Sequence, residues 1–195
     1  MAMDPREIVV GPLTLYLAAA VEAEDDVDGT PTGNWGQLGT SGDENYAEDG
    51  VTITHSQTTR ESRVAGATGP VKVNRTEESL MIALILMDMS LAQLTKLFNN
   101  TAKSTDTTPN IDFLGMRRGP DVTLFSLIAK GTGLSPSGDF PIQLYVPRCY
   151  MSSDALAPVY SKNADVGHAA EFSALEYASA GTAEQRFGRW VVQTS

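Results

Sequence analysis

Residues 77–94, with the sequence "EESLMIALILMDMSLAQL", decide the fold expected for this chain. The first part, residues 77–89, is the most apolar run of the protein, and periodicity alone fits either a buried strand or a buried helix. The next residues resolve this, because Ser90 and Gln93 have the spacing of a capping box, in which each side chain bonds the other residue's backbone N–H. A helix is therefore predicted to begin at Ser90, and the apolar run before it is predicted to be a long strand.

Period-two alternation predicts further strands on both sides of this segment. Near the N-terminus, Leu13, Leu15 and Leu17 alternate with Thr14 and Tyr16, which is the pattern of a half-buried strand. Strands are predicted at residues 7–18, 35–39, 51–60, 77–89, 121–130, 140–151, 166–179 and 187–192, and a polar connection at 101–120. Pro147 either places its strand at a sheet edge or gives it a bulge.

These elements favour a mainly β fold. Many short strands with one helix predict an antiparallel β-sandwich or barrel, flanked by one α-helix at about residues 90–100. The length of 195 residues fits a single domain over 1–195. Long loops and terminal arms complete it, including an N-terminal strand or arm at 1–20.

The composition excludes several classes of protein. A net charge of −10 repels phosphates, so binding nucleic acid would need a concentrated basic face. The single cysteine, Cys149, excludes an intramolecular disulfide and a cysteine-based zinc site. No apolar run approaches the roughly 20 residues that cross a membrane. Asp4 and Glu7 stand where a signal peptide carries positive charge, so an intracellular product is expected.

Two loops are strongly acidic, at residues 22–34 and 40–50. They lack the ligand spacing and closing glutamate of a calcium loop. Two interpretations stay open, namely ordinary solvated loops, or a negative surface that lines a channel or receives a docking partner. The candidate residues are Asp25, Asp26, Asp28, Asp43, Glu44, Glu48 and Asp49.

A basic, glycine-containing segment contrasts with these loops. Residues 63–75, "RVAGATGPVKVNR", resemble a phosphate loop only superficially, because Pro70 removes a backbone N–H at the turn and a strand pattern follows. The segment is either a solvated basic loop or a long assembly loop at 60–76 that orders against an acidic patch of an identical neighbour. Its candidate contact residues are Arg60, Arg63, Gly66, Gly69, Pro70, Lys72 and Arg75.

No motif indicates catalysis. The two histidines, His55 and His168, have no acidic or histidine partner at metal-binding spacing. No nucleophile elbow or similar local signature is present. We therefore expect no enzymatic activity, no catalytic residue, no metal site and no cofactor.

The stretch at residues 35–94 resembles the major tail tube protein of long-tailed, non-contractile phages, which also occurs in prophages and gene transfer agents. The resemblance covers roughly a third of the chain. The matching features, in order, are Trp35 with Leu38-Gly39, Glu48-Asp49-Gly50-Val51, Gly69-Pro70-Val71-Lys72, Arg75-Thr76-Glu77-Glu78 and the "DMSLAQL" segment at 88–94.

This resemblance implies a structural virion protein of the tail, assembled in the host cytoplasm. Subunits would form hexameric rings that stack into a hollow tube, with DNA as a transient, non-specific cargo of the lumen. The other expected partners are tail proteins such as the tape measure and the tail terminator, and no membrane. A net negative chain agrees with a lumen to which DNA does not stick.

Two other functions remain open. One is a monomeric β-sandwich binding module, such as a virion decoration or adhesin domain, for which Trp35 and Tyr46 are the available loop aromatics. The other is the inner tube of a contractile injection machine, which shares the tube fold. Imaging of the purified protein separates the first from a tube subunit, because only the subunit forms rings or tubes.

Overall fold

The computed structural model describes residues 11–66, 68–98, 103–107, 110–116, 119–135, 138–153, 158, 160, 162 and 165–193, without the side chains of 132–140. Two single-turn 3-10 helices, Gly42–Asn45 and Ala183–Gln185, lie in loops. The strands and the helix are β1 Thr14–Ala19, β2 Gly36–Gln37, β3 Thr52–Ser62, β4 Lys72–Leu86, α1 Leu91–Leu97, β5 Ser104–Asp106, β6 Ile111–Phe113, β7 Leu124–Ser135, β8 Gly138–Met151, β9 His168–Ala174 and β10 Arg189–Val192.

The mainly β prediction is confirmed. Eight strands form one sheet in the order β2-β1-β7-β8-β9-β4-β3, with β10 pairing on β8, and every pairing is antiparallel. Strands β5 and β6 form a separate two-stranded sheet inside the segment predicted to be a polar connection. Their runs of three residues are too short to show alternation.

The core lies on one face of the eight-stranded sheet. Leucines at alternate positions of β1 and β4 point into it, and the rings of Phe125 and Phe172 meet edge to face with centroids 6.5 Å apart. Helix α1 packs on the same cluster through Leu97, which is fully buried. The members of this core are Leu15, Leu17, Leu38, Tyr46, Leu80, Ile82, Leu84, Leu86, Leu97, Phe125, Leu127, Ala129, Leu144, Val146, Cys149, Ala170 and Phe172.

The start of the helix is confirmed, but the capping box is wrong. Ser90 has the extended backbone of an N-cap, yet its side chain makes no capping hydrogen bond. Asp88 instead accepts from the Ser90 N–H at 2.9 Å, which is the bond that the capping box assigned to the Gln93 side chain. Gln93 is buried and accepts from the Gly39 N–H at 3.2 Å, so it ties the helix to the preceding loop instead of to its own first turn.

Pro147 produces a bulge, and the alternative of an edge strand is wrong. Strand β8 lies inside the sheet, and its register with β7 shifts between Phe125 and Leu127. The shift frees the Pro147 carbonyl, which accepts from the Val21 N–H and from the Ser126 hydroxyl, each at 2.9 Å. A proline is tolerated here because the ladder is already interrupted.

Candidate assembly interface

The loop predicted at 60–76 is shorter than predicted, because residues 60–62 and 72–76 belong to strands β3 and β4. Strands β3 and β4 pair as far as Ser62 with Lys72, leaving only residues 63–71 as the connection. Threonines and valines flank the connection on both strands and favour extended backbone. Gly66 supplies a positive φ of 95° in the turn, a conformation that glycine adopts without steric cost.

The ribbon of β3 and β4 extends beyond the sheet, and we call residues 54–79 the arm. Strand β9 pairs with β4 only as far as Met81, so residues 72–79 of β4 pair with β3 alone. At about 3.3 Å per residue, this unsupported part is about 25 Å long. All side chains at 54–61 and 72–77 are exposed, so both faces of the arm meet solvent.

A bulge interrupts the arm midway. Thr58 pairs with Glu77 and Thr59 with Arg75, which leaves Thr76 as the additional residue of β4. The Thr76 hydroxyl donates to the Thr58 carbonyl at 3.1 Å. Such a bulge increases the local twist of the ribbon.

The end of the arm, residues 60–75, is basic and partly apolar. Four basic side chains and one acidic side chain lie in it. Arg60 and Lys72 are exposed, and no acidic side chain pairs with either among the described residues. Arg63 lies 3.1 Å from Glu61, an exposed pair of little energetic weight. Val64, Val71 and Val73 are more than half exposed.

Arg75 belongs to a network at the base of the arm. Glu78 accepts from Arg75 Nη1 at 3.0 Å, and its other carboxylate oxygen lies 2.7 Å from His55 Nε2. The hydrogen bond from His55 and the charge of Arg75 lower the pKa of Glu78. His55 therefore has an acidic neighbour across the ribbon, which sequence spacing does not show.

The first acidic loop is not an ordinary solvated loop. It lies across the outer face of β1, β7 and β8, opposite the core, and we call residues 22–34 the strap. Tyr145 donates to the Glu22 carbonyl at 2.6 Å, and Gln143 donates to the Asp25 carbonyl and to the Glu24 carboxylate, both at 3.0 Å. These bonds turn polar groups of the strap inward onto the sheet.

Further contacts hold the middle of the strap and the residue that follows it. Lys130 donates to the Asp26 carbonyl at 3.0 Å and to the Gly29 carbonyl. The Trp35 ring packs edge to face on Tyr145, with centroids 6.4 Å apart. Hydrogen bonds from the backbone N–H groups of Thr32 and Asp26 lower the pKa of Asp25.

The second acidic loop is also anchored in part. Asp43 accepts from the Thr14 hydroxyl at 2.7 Å. Tyr46 is buried, with its hydroxyl donating to the Leu38 carbonyl at 2.7 Å and accepting from the Leu15 N–H at 3.0 Å. The candidate acidic residues that remain exposed are Asp26, Asp28, Glu44, Glu48 and Asp49.

On the other half of the outer face, the described residues form no such strap. Strands β3, β4 and β9 form there a shallow groove of about 400 Å³, which we call the outer groove. Its floor includes Ala83, Ile85 and Ala169, and Asp49 and Glu171 are the only charged residues in its lining. Sequence reasoning identified Asp49 alone among these. The missed signal is the apolar character of Met81, Ala83 and Ile85, which alternate with the core leucines.

A larger cleft lies between the base of the arm and the segment 183–190. It measures about 980 Å³ and includes Trp190, which is 51% exposed. Its charged groups pair with one another, for example Arg186 with Glu176 at 2.8 Å. Trp35 is half-buried and Tyr46 is buried, so neither is the exposed loop aromatic that a binding module was expected to use.

Within the described ranges, no group of three or more His, Cys, Asp or Glu side chains could hold a metal ion. No helix in the described part of the chain has the length and apolar character needed to cross a membrane. No family model matches the sequence, and no curated protein matches it.

Proposed function

We propose that this chain is a structural subunit that polymerises into stacked rings and forms the hollow tail tube of a phage-like particle. The observation that carries the proposal is the arm, a ribbon about 25 Å long that extends from the sheet with both faces exposed. An isolated two-stranded ribbon is at best marginally stable in water. Packing on another subunit supplies the missing contacts.

The edges of the sheet support the same function. Strand β3 ends the sheet on one side and offers eleven residues without an outer neighbour. Strand β2, with two residues, ends it on the other side. Open strand edges pair readily with other chains, so neighbouring subunits can continue the sheet around a ring. The resemblance at residues 35–94 implies that the ring is hexameric.

The charge distribution suits a conduit for DNA. Exposed acidic residues of both loops give the free subunit a negative surface, whereas the end of the arm is locally basic. Each phosphate bound by Lys or Arg strengthens attraction to DNA. A lumen with acidic walls lets DNA pass as transient cargo, while the tape measure and tail terminator proteins are expected to bind the tube itself.

Electron microscopy tests the proposal directly. Purified protein should form rings or tubes, which negative-stain imaging and light scattering over a range of concentrations would detect. A protein that stays monomeric at every concentration contradicts the proposal.

A monomeric binding module is the second candidate, and the cleft at Trp190 is the observation in its favour. A half-exposed tryptophan beside an apolar floor is a common platform for a sugar ring or a peptide side chain. This function predicts that Trp190→Ala removes ligand binding, measured on an oligosaccharide array, while the protein remains monomeric. A tube subunit would instead bind no oligosaccharide and still assemble.

A further inference from the structure

We propose that the end of the arm of one subunit docks in the outer groove of the next subunit. This inference rests on the proposed self-assembly and names the surface that receives the arm. Three observations carry it, namely the apolar outer face of β4, the charges of the two surfaces and their positions on the same ribbon.

The outer face of β4 has the composition of a buried surface. Leu80, Ile82, Leu84 and Leu86 face the core, and the alternate residues, from Met81 to Ile85, face the groove. A strand that is apolar on both faces is typical of a sheet covered on both sides. Yet Ile85 is 40% exposed in the single subunit. The groove therefore lacks a cover that the sequence anticipates.

The charges select the occupant. The lining of the groove contains the carboxylates of Asp49 and Glu171 and no basic side chain. The end of the arm carries Arg60 and Lys72, which have no acidic partner among the described residues, and exposed valines that fit an apolar floor. The larger cleft at Trp190 is a poorer receptor, because its lining contains three arginines that repel a basic tip. Two of its three acidic groups, Glu78 and Glu176, are already paired with Arg75 and Arg186.

The geometry makes the contact directional. The groove lies where the β3–β4 ribbon joins the main sheet, beside Thr52 and Ala83. The basic end lies at the opposite end of the ribbon, next to its turn. From Ala83 to Lys72 the ribbon spans about 35 Å at 3.3 Å per residue. A contact between different surfaces of identical subunits is heterologous, and it gives an open stack when the rotation between subunits does not close a ring. In that case it extends the stack subunit by subunit.

Charge reversal provides the first test. The tip variant Arg63→Glu/Lys72→Glu and the groove variant Asp49→Lys/Glu171→Lys should each need at least about ten times the wild-type concentration to assemble, which corresponds to about 1.4 kcal/mol. An equimolar mixture should assemble again, because each tip then meets a groove of opposite charge. The control Asp26→Lys/Asp28→Lys, on the strap, changes the net charge by the same amount as the groove variant and should assemble like wild type.

Cross-linking provides a test that does not depend on those four charges. Cys149, the only cysteine, is fully buried, so new surface cysteines react alone. The double variant Val64→Cys/Ala169→Cys, treated with a short bis-maleimide, should give a ladder of oligomers on a denaturing gel. The control Val64→Cys/Ala23→Cys places the second thiol on the strap and should give no ladder beyond dimers.

The results separate the two proposals. If the wild type stays monomeric, self-assembly fails and the docking contact fails with it. Suppose instead that the wild type forms tubes. If the groove variant then also assembles normally, or if both double-cysteine variants give the same cross-linked products, only the docking contact is wrong. A rescued mixture together with a ladder specific to Ala169→Cys supports it.

Discussion

The two halves of the outer sheet face differ in how they are covered. Over β1, β7 and β8, the strap makes hydrogen bonds and ring contacts with the sheet, including bonds from Tyr145 and Gln143 to its backbone carbonyls. Over β9, β4 and β3, an apolar floor lies open and the ribbon runs on into solvent. The first half makes its contacts within one chain, whereas in the proposed assembly the second half gains its contacts from another subunit. Substitutions in the two halves should therefore affect different measurements.

The largest expected effect is the loss of assembly when residues 64–71 are deleted. The deletion removes most of the connection between β3 and β4 but no core residue. Far-UV circular dichroism and the melting temperature should therefore stay close to those of wild type. Tubes should be absent from negative-stain images. If the deletion variant still polymerises normally, the arm is not the assembly element and the contrast between the halves fails.

A substitution in the anchored loops should have the opposite signature. Tyr46→Phe removes a hydroxyl that bonds the Leu38 carbonyl and the Leu15 N–H in a buried position. Leaving both groups without partners should lower the free energy of unfolding by about 2–3 kcal/mol, measured by urea denaturation of the unassembled protein. The folded Tyr46→Phe variant should still form tubes. If its free energy of unfolding equals that of wild type, the two hydrogen bonds contribute nothing to stability.

Salt should reveal the electrostatic part of the arm contact. Because the Debye length falls from about 10 Å at 0.1 M salt to about 3 Å at 1 M, the defect of Arg63→Glu/Lys72→Glu should shrink from about tenfold in assembly concentration to a few-fold. Light scattering across a salt series measures this change. A defect of constant size would indicate that shape, and not charge, governs the contact.

The smallest effect should appear at Asp88, which joins the loop at Thr40 to the helix start. Burial opposes its ionisation, but hydrogen bonds from the Thr40 hydroxyl and from the Ser90 and Thr40 N–H groups lower its pKa to about 2. The pKa of Asp88 in the folded protein thus lies below its ordinary value of 3.8. The ionised Asp88 therefore stabilises the folded state above about pH 4, and this stabilisation disappears as the pH falls toward 2.

Asp88→Asn should therefore cost about 1 kcal/mol of unfolding free energy at pH 7, with solvent screening limiting the loss. Urea denaturation at pH 7 and at pH 2.5 measures it, and the difference from wild type should be smaller at the lower pH. An equal difference at both pH values would show that the charge of Asp88 is not the cause.

Local patterns predicted the elements better than their surroundings. Alternation identified the β-rich fold, and the residues after the apolar run placed the helix start at Ser90, although Asp88, and not Gln93, bonds the Ser90 N–H. The strap was not predictable, because Tyr145 and Glu22 are 123 residues apart and their contact leaves no local signal. The predicted loop within the arm was too long, because the ladder that continues to Ser62 and Lys72 depends on cross-strand register and leaves no local signal.

The candidate site was predicted only on one side. The basic residues of the arm are visible in the sequence because they contrast with an acidic chain, and the structure places them together near the end of one ribbon. The groove combines residues from three strands and two loops that are far apart in sequence. Sequence shows that β4 is apolar on both faces, but only the sheet order shows that one of those faces is open.

The bulge at Thr76 has a consequence for solubility. A long, flat, open edge strand is a template for uncontrolled cross-β aggregation. Here the additional residue breaks the ladder midway between the main sheet and the turn of the arm, and it adds twist. Neither part of the arm therefore offers a regular edge of full length. The break therefore disfavours edge-to-edge stacking of free subunits into fibrils.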